Sequence, residues 1–223
     1  MRKYFVIIAL TGIFMVTLFG CGEKKNTIKG ADGKEYNTYQ EACRAGDFDA
    51  AWAFVDELEQ QSFEQDEYER YIQKNVSAYT TARDFVFNAE VQLLLSDGST
   101  DASNRILYLL NHLPIKGKRL NEGYKGTDAR TSIVDTSSFN KEFAWYCESV
   151  NSFNNKCRQI MELCITQNNK YLADQIVKLV KETPTSSESS GFDYVVHYTN
   201  DDIEEVKKMY DEAIESGSFH EKE

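Results

Sequence analysis

Eight apolar residues recur at intervals of three and four between Phe139 and Cys164: Phe139, Phe143, Tyr146, Val150, Phe153, Cys157, Ile160 and Cys164. An α-helix turns once in 3.6 residues, so this spacing lays one unbroken apolar stripe along a single helical face. The run predicts a helix of about seven turns. A second series, Tyr68, Ile72, Val76, Tyr79, Val86, Ala89 and Leu93, predicts another long helix between residues 66 and 96. Shorter groups carry the same signature: Phe48, Trp52, Val55 and Leu58; Ile106, Leu110 and Leu113; Leu172, Ile176 and Leu179; Ile203, Val206, Tyr210 and Ala213. Asp101 ahead of Ile106, and Asn200 with Asp201 and Asp202, place negative charge where helix N-termini favour it. The only two prolines, Pro114 and Pro184, stand at the ends of helical patterns. The fold class is therefore all-α.

The helices meet at similar corners. Gly46-Asp47-Phe48-Asp49-Ala50, Gly98-Ser99-Thr100-Asp101-Ala102, Asn169-Lys170-Tyr171-Leu172-Ala173 and Gly217-Ser218-Phe219 each follow a helical pattern. A Gly or Asn can supply the left-handed residue that ends a helix, and an alanine permits close helix contact. These corners resemble the turns of tetratricopeptide-like helical repeats. The resemblance implies an irregular array of αα-hairpins, one that can coil into a superhelix and present an extended groove to a protein or peptide. The copies lie 52, 71 and 48 residues apart, where a regular repeat of that kind recurs about every 34.

Two long non-helical insertions break the array, at residues 114–137 and 184–199. The first carries Lys116, Lys118, Arg119, Lys125 and Arg130 against Glu122, Asp128 and Asp135. It is a candidate contact for an acidic partner; the alternative is a solvated loop. The second begins with the linker-like run Ser186 to Ser190 and turns aromatic. If residues 192–199 form a strand, Tyr194, Val196 and Tyr198 share one face. Tyr194, His197 and Tyr198 are the candidate binding residues there, and with Trp145 they could capture a glycan or small solute. Trp52 and Trp145 fall within helical stripes, where core packing is the simpler reading.

The amino terminus reads MRKYFVIIALTGIFMVTLFGCGEKK. Arg2 and Lys3 precede an apolar run of 15 residues, Phe5 to Phe19, short of the roughly 20 needed to span a bilayer and suited to a secretory leader. Leu18-Phe19-Gly20-Cys21 resembles the lipobox of bacterial lipoproteins. That resemblance implies cleavage before Cys21 and lipidation of its thiol, for which palmitate-type acyl chains serve; the other reading leaves Cys21 a spare thiol. Gly22 is not the aspartate that retains many such proteins at the inner membrane, so the family rule favours the outer membrane. The following stretch, GKEYNTYQEACRAGDFDAAWAFVDEL, resembles small envelope lipoproteins of Gram-negative gut bacteria, a likeness that implies location and supplies no activity. The expected organisation is a leader over residues 1–20, a flexible leash over 21–37, and one helical domain over 38–223.

The formal charge of −11 argues against nucleic acid, whose phosphates require a basic face, and against a polybasic grip on anionic lipid. Cys147, Cys157 and Cys164 fall in one helix, too far apart along its axis to pair with one another. Only Cys43 could bridge to one of them, and buried free thiols are the simpler reading. His112 stands where it can satisfy helix-terminal carbonyls, and His220 lies in the tail. No histidine has a metal-ligand neighbour at helical spacing, and no phosphate loop, nucleophile elbow or zinc helix occurs. No cofactor is expected. The acids at Glu57 and Glu59, at residues 64–69, and at Glu204 and Glu205 read as solvated helix faces. An enzyme would need two of them to converge from separate elements. The expectation is a non-enzymatic, lipid-anchored scaffold for an envelope protein or peptide, with solute or glycan binding as the alternative.

Overall fold

A computed structural model describes residues 27–65, 71–73, 76–114, 136–190 and 193–219. Among the described residues the chain is mostly helical, with three small antiparallel ribbons. In chain order these are β1 (Ile28–Lys29), β2 (Glu35–Tyr36), α1 (Tyr39–Ala45), α2 (Phe48–Ser62), β3 (Phe63–Gln65), β4 (Tyr71–Gln73), α3 (Val76–Asp97), α4 (Thr100–Asn111), α5 (Thr136–Thr166), α6 (Lys170–Leu179), β5 (Thr183–Ser190), β6 (Asp193–Thr199) and α7 (Asp201–Glu215).

The longest expected helix is present as α5. Tyr146, Val150, Phe153, Cys157, Ile160 and Cys164 are all buried along it. The other long series is not one helix. α3 begins at Val76, Ile72 lies in β4, and β3 pairs with β4 in the register Phe63↔Gln73; Tyr68 lies outside the described residues. A helix through this region would set Glu64 near Glu67 and Asp66 near Glu69, and like charges at that spacing are unfavourable.

Nor does α3 carry one stripe. Tyr79, Ala82 and Val86 enter a first core with Tyr36, Ala42, Ala50, Ala51, Phe54 and Val55. Phe87, Val91 and Leu95 enter a second core with Ile106, Leu110, Phe153, Met161, Leu172, Ile176 and Val206. Leu93, an expected stripe member, is 57% exposed as a result. The small side chains Ala42, Ala51 and Ala82, with no accessible surface, let α1, α2 and α3 approach closely. In the second core each fully buried Leu, Ile or Met contributes about 1.5–3 kcal/mol relative to exposure. Trp52 on α2 touches both cores.

Residues 28–36, assigned by composition to the leash, form the β1–β2 ribbon instead, with Tyr36 buried at 3% exposure. The polar Asp32-Gly33 pair is a hairpin turn signal: Gly33 has φ +80°, and Asp32 Oδ1 accepts the Lys34 N–H at 2.9 Å. The serine-rich run read as a linker is likewise a strand, β5, paired to β6 with a bulge between Pro184 and Ser186.

The corners have a shared geometry. Left-handed residues end α1, α3, α5 and α7: Gly46 at φ +77°, Gly98 at +67°, Asn168 at +59° and Gly217 at +69°. The sequence motif placed the third corner one residue late, because Asn169 is the N-cap of α6 and accepts the Leu172 N–H. In three corners the next N–H closes on the carbonyl five residues back: Asp47 on Ala42, Asn169 on Cys164, Ser218 on Ala213, the helix-terminating bond expected of such ends. The following side chain caps the next helix: Asp47 for α2, Ser99 for α4 and Asn169 for α6. Ser99 is thus the N-cap of α4, and Asp101 sits in its first turn, the negative charge expected at that end. Asn200 precedes α7 without a side-chain cap bond, leaving Asp201, Asp202 and Glu204 to face the helix terminus.

Candidate functional site

The sequence-nominated residues divide sharply. Cys21, Lys116, Lys118, Arg119, Lys125, Arg130 and His220 lie outside the described residues, as does the leader. Tyr194, His197 and Tyr198 lie in β6. Successive strand residues point to opposite faces, so His197 and Tyr198 cannot converge on one ligand. Tyr198 is half-buried and hydrogen-bonded to Tyr146 of α5, whose hydroxyl is pushed up to about 12 by burial and then by Tyr198. His197 is exposed on the other face. The Cys147 thiol donates to the Pro184 carbonyl at 3.6 Å, so the start of the ribbon is fastened along α5. Trp145 is half-buried. The Tyr194 side chain lies outside the described residues, so of the expected site's β6 residues only Tyr198, against α5, and His197, on the opposite face, are described.

Beside the ribbon lies a mainly polar cleft of about 210 Å³ between α5 and α7, lined by Asn151, Asn154, Asn155, Arg158, Asp202 and Glu205, with Val206 as its apolar member. Its floor is Asn154, 2% exposed. The Asn154 amide donates to the Lys181 carbonyl at 2.8 Å, to Asp202 Oδ2 at 2.8 Å and to Thr183 Oγ1 at 3.4 Å. Its carbonyl accepts the Lys181 N–H at 3.0 Å. Thr183 also donates to Asp202. One side chain therefore ties α5, the entry to β5 and the start of α7 together. Arg158 divides its guanidinium between Glu205 at 3.2 Å and Asn155 at 3.1 Å. Small-molecule pockets are mostly apolar and about 300–1,000 Å³, so this cleft is undersized and too polar for one. Its chemistry is hydrogen bonding between elements.

A second polar node joins the two cores. Glu90, 4% exposed, accepts Trp52 Nε1–H at 2.6 Å and Arg105 Nε–H at 2.7 Å. Arg105 in turn lies 5.2 Å from the Tyr108 ring centre, and His112 stacks on Tyr108 at 3.9 Å. His112 Nδ1 reaches the Tyr108 carbonyl at 2.8 Å, the helix-terminal role expected of it. The thiol of Cys43 is raised to about 11, chiefly by burial and further by the Glu90 charge. Burial lifts Cys157 and Cys164 to about 12. All four of Cys43, Cys147, Cys157 and Cys164 are free: helix spacing bars the last three from pairing with one another, and Cys43 is bridged to none of them. Where Tyr210 meets α6, its hydroxyl donates to Asp174 at 2.5 Å, and Lys170 contacts the same carboxylate at 2.9 Å.

Sequence reasoning missed Asn154, Glu90 and Arg105, and named Asp202 only as a helix-terminal charge. The available signal was local: Asn154 adjoins the buried stripe at Phe153, and Glu90 follows Ala89 in an apolar series. Which partner each would meet depends on contacts 15 to 48 residues away.

Among the described residues, no group of three or more His, Cys, Asp or Glu side chains could hold a metal ion, and no helix is long and apolar enough to cross a membrane. No protein-family model, curated protein or solved structure matches the chain.

Proposed function

We propose that this chain is a lipid-anchored protein of the bacterial cell envelope, without catalytic activity, that binds another envelope protein or a peptide on the surface of an irregular αα-hairpin array. The anchor rests on the leader and the lipobox-like Leu18 to Cys21. The array rests on its corners. Counting from the left-handed residue, the fifth position on is Ala51, Ser103 and Ala173 in the first three corners, each at most 2% exposed. A small side chain there lets the return helix lie close against its neighbour.

The observation that carries the reading is that two corners stand side by side. Asn169 Nδ2–H donates to Ser103 Oγ at 3.0 Å, and Tyr171 donates to Asn104 at 2.7 Å. Stacking of this kind sets α4 and α6 in one layer, with Tyr108 51% and Tyr171 43% exposed on it. Exposed tyrosines on rigid elements are apt contact residues, since they supply area at low entropic cost.

The test is a photo-crosslinking amino acid placed singly at Tyr108, Tyr171 and His197 in the native envelope. The reading expects a discrete protein adduct from Tyr108 or Tyr171. Adducts confined to His197, or none at any position, would remove the helix layer as the binding surface.

A further inference from the structure

α3 is apolar on more sides than a surface helix needs. Two of its faces enter the two cores, and the outer face adds Phe85, 44% exposed, and Leu93, 57% exposed. A helix that is apolar all round is normally covered all round. Phe85, Ala89 and Leu93 follow one another at intervals of four, so they form one ridge rather than scattered surface residues. The Tyr39 ring of α1 meets Phe85 edge-on at 5.5 Å and carries the ridge onto a second helix. No exposed residue from Phe85 to Ser96 is charged; Asn88, Gln92 and Ser96 are the polar members. Asp84 and Asp97 mark the two ends of the patch. The exposed residues of α7, by contrast, are all charged except Ile214.

We propose that this ridge lies against the bilayer, with Phe85 and Leu93 seated where headgroups meet acyl chains. The inference rests on the lipid anchor proposed above. The occupant follows from the tether. Thr27, where the described chain begins, stands six residues after Cys21, a reach of at most about 22 Å. A domain of this size is about 40 Å across, so the side of the body next to the tether is the side held at the membrane. That side holds the ridge. Ile28 pairs with Tyr36 across the β1–β2 ribbon, Tyr36 is buried in the first core, and three residues later Tyr39 meets Phe85. The ribbon keeps the tether short because it is seated on the body: Asp47 occupies the space that a side chain on Gly30 would need. Charge supplies no grip, since anionic headgroups repel a chain of formal charge −11. An uncharged ridge enters a zwitterionic surface without that cost, and apolar helix faces settle about 5–10 Å into this boundary.

The full-length, lipid-bearing protein in phosphatidylcholine vesicles tests it. An environment-sensitive fluorescent amino acid is placed singly at Phe85, Leu93, Tyr108 and Ile214, each variant checked for wild-type helicity by circular dichroism. Probes at 85 and 93 are expected to shift to the blue and to be quenched by lipids that carry a nitroxide near the headgroup. Probes at 108 and 214 are expected to keep water-like emission. Phe85→Glu should return the probe at 93 to water-like emission while the protein still floats with the vesicles. Vesicle-bound protein whose probes at 85 and 93 match those at 108 and 214 would overturn the docking and leave the anchor intact. A blue shift without nitroxide quenching would put protein rather than lipid on the ridge, with the same consequence. Protein that does not float with the vesicles would overturn the anchor, and the docking with it.

Discussion

Glu90 offers the sharpest energetic test, because a single carboxylate sits between the two cores and holds a donor from each side. Its side chain is 6% exposed, whereas that of Arg105 is 35% exposed. Removing one member of a fully buried ion pair costs about 3–5 kcal/mol. Arg105 can regain water, so that range is an upper bound here. The Trp52 N–H is less fortunate: it belongs to a half-buried ring between cores, and a stranded donor costs about 1–3 kcal/mol. Glu90→Ala is therefore expected to destabilise the fold by about 3 kcal/mol. Glu90→Gln keeps a neutral acceptor and should cost about 1–2 kcal/mol, the difference between charged and neutral hydrogen bonds. Urea unfolding at neutral pH, followed by far-ultraviolet circular dichroism, gives both values. The Glu90→Ala and Arg105→Ala pair should show a coupling energy of about 1 kcal/mol or more in a double-mutant cycle. A loss below about 0.5 kcal/mol for Glu90→Ala would show that the node does not join the cores, and the reasoning would fail.

Gly46→Ala meets no atom within 4 Å but must hold φ +77°, so a stability loss of about 1 kcal/mol is expected from backbone strain alone; urea midpoints check it. Asn154→Ala removes four hydrogen bonds at one buried position, for an expected loss of about 2–4 kcal/mol. Hydrogen exchange should accelerate first in β5, β6 and the start of α7, and uniform acceleration across α1 to α3 would contradict that. The thiols carry a pH signature. A raised folded pKa leaves less thiolate at any given pH, so alkylation of the native chain near pH 9, read by peptide mass spectrometry, should be slower at Cys157 and Cys164, held at about 12, than at Cys43, at about 11. Since these are acids stabilised in neutral form, their contribution to stability is complete below pH 9 and is lost as pH rises from there through 12. Equal alkylation rates at all sites would refute the burial argument.

Helix content was legible because period alone reports a buried stripe, and α5 keeps one face toward one core for most of its length. The same logic misread α3, which turns from the first core to the second between Val86 and Phe87. A single-stripe reading cannot anticipate a helix that serves two cores. Corners were legible for a related reason: a left-handed residue and the cap after it are adjacent in sequence, so Gly46-Asp47 and Gly98-Ser99 announce themselves. The third was displaced by one because Asn168 and Asn169 can each play either role, and only the backbone distinguishes them. The β1–β2 ribbon, which composition assigned to the leash, and β5, which it read as a linker, depend on pairing between segments and on packing of Tyr36 and Tyr198, which polarity counts do not register; the period-two pattern of residues 192–199 did announce β6. The candidate site suffered most. Asn154 and Glu90 look like ordinary helix polars until partners from three elements are brought to them.

The proposal stands or falls on the anchor, and intact-mass spectrometry of the protein recovered from the membrane fraction addresses it directly. The expected species begins at Cys21, carries lipid on that residue, and disappears in Cys21→Ala, which should keep residues 1–20. A membrane-derived chain that retains those residues in the unaltered protein, or one that is processed but bears no lipid, would contradict the account.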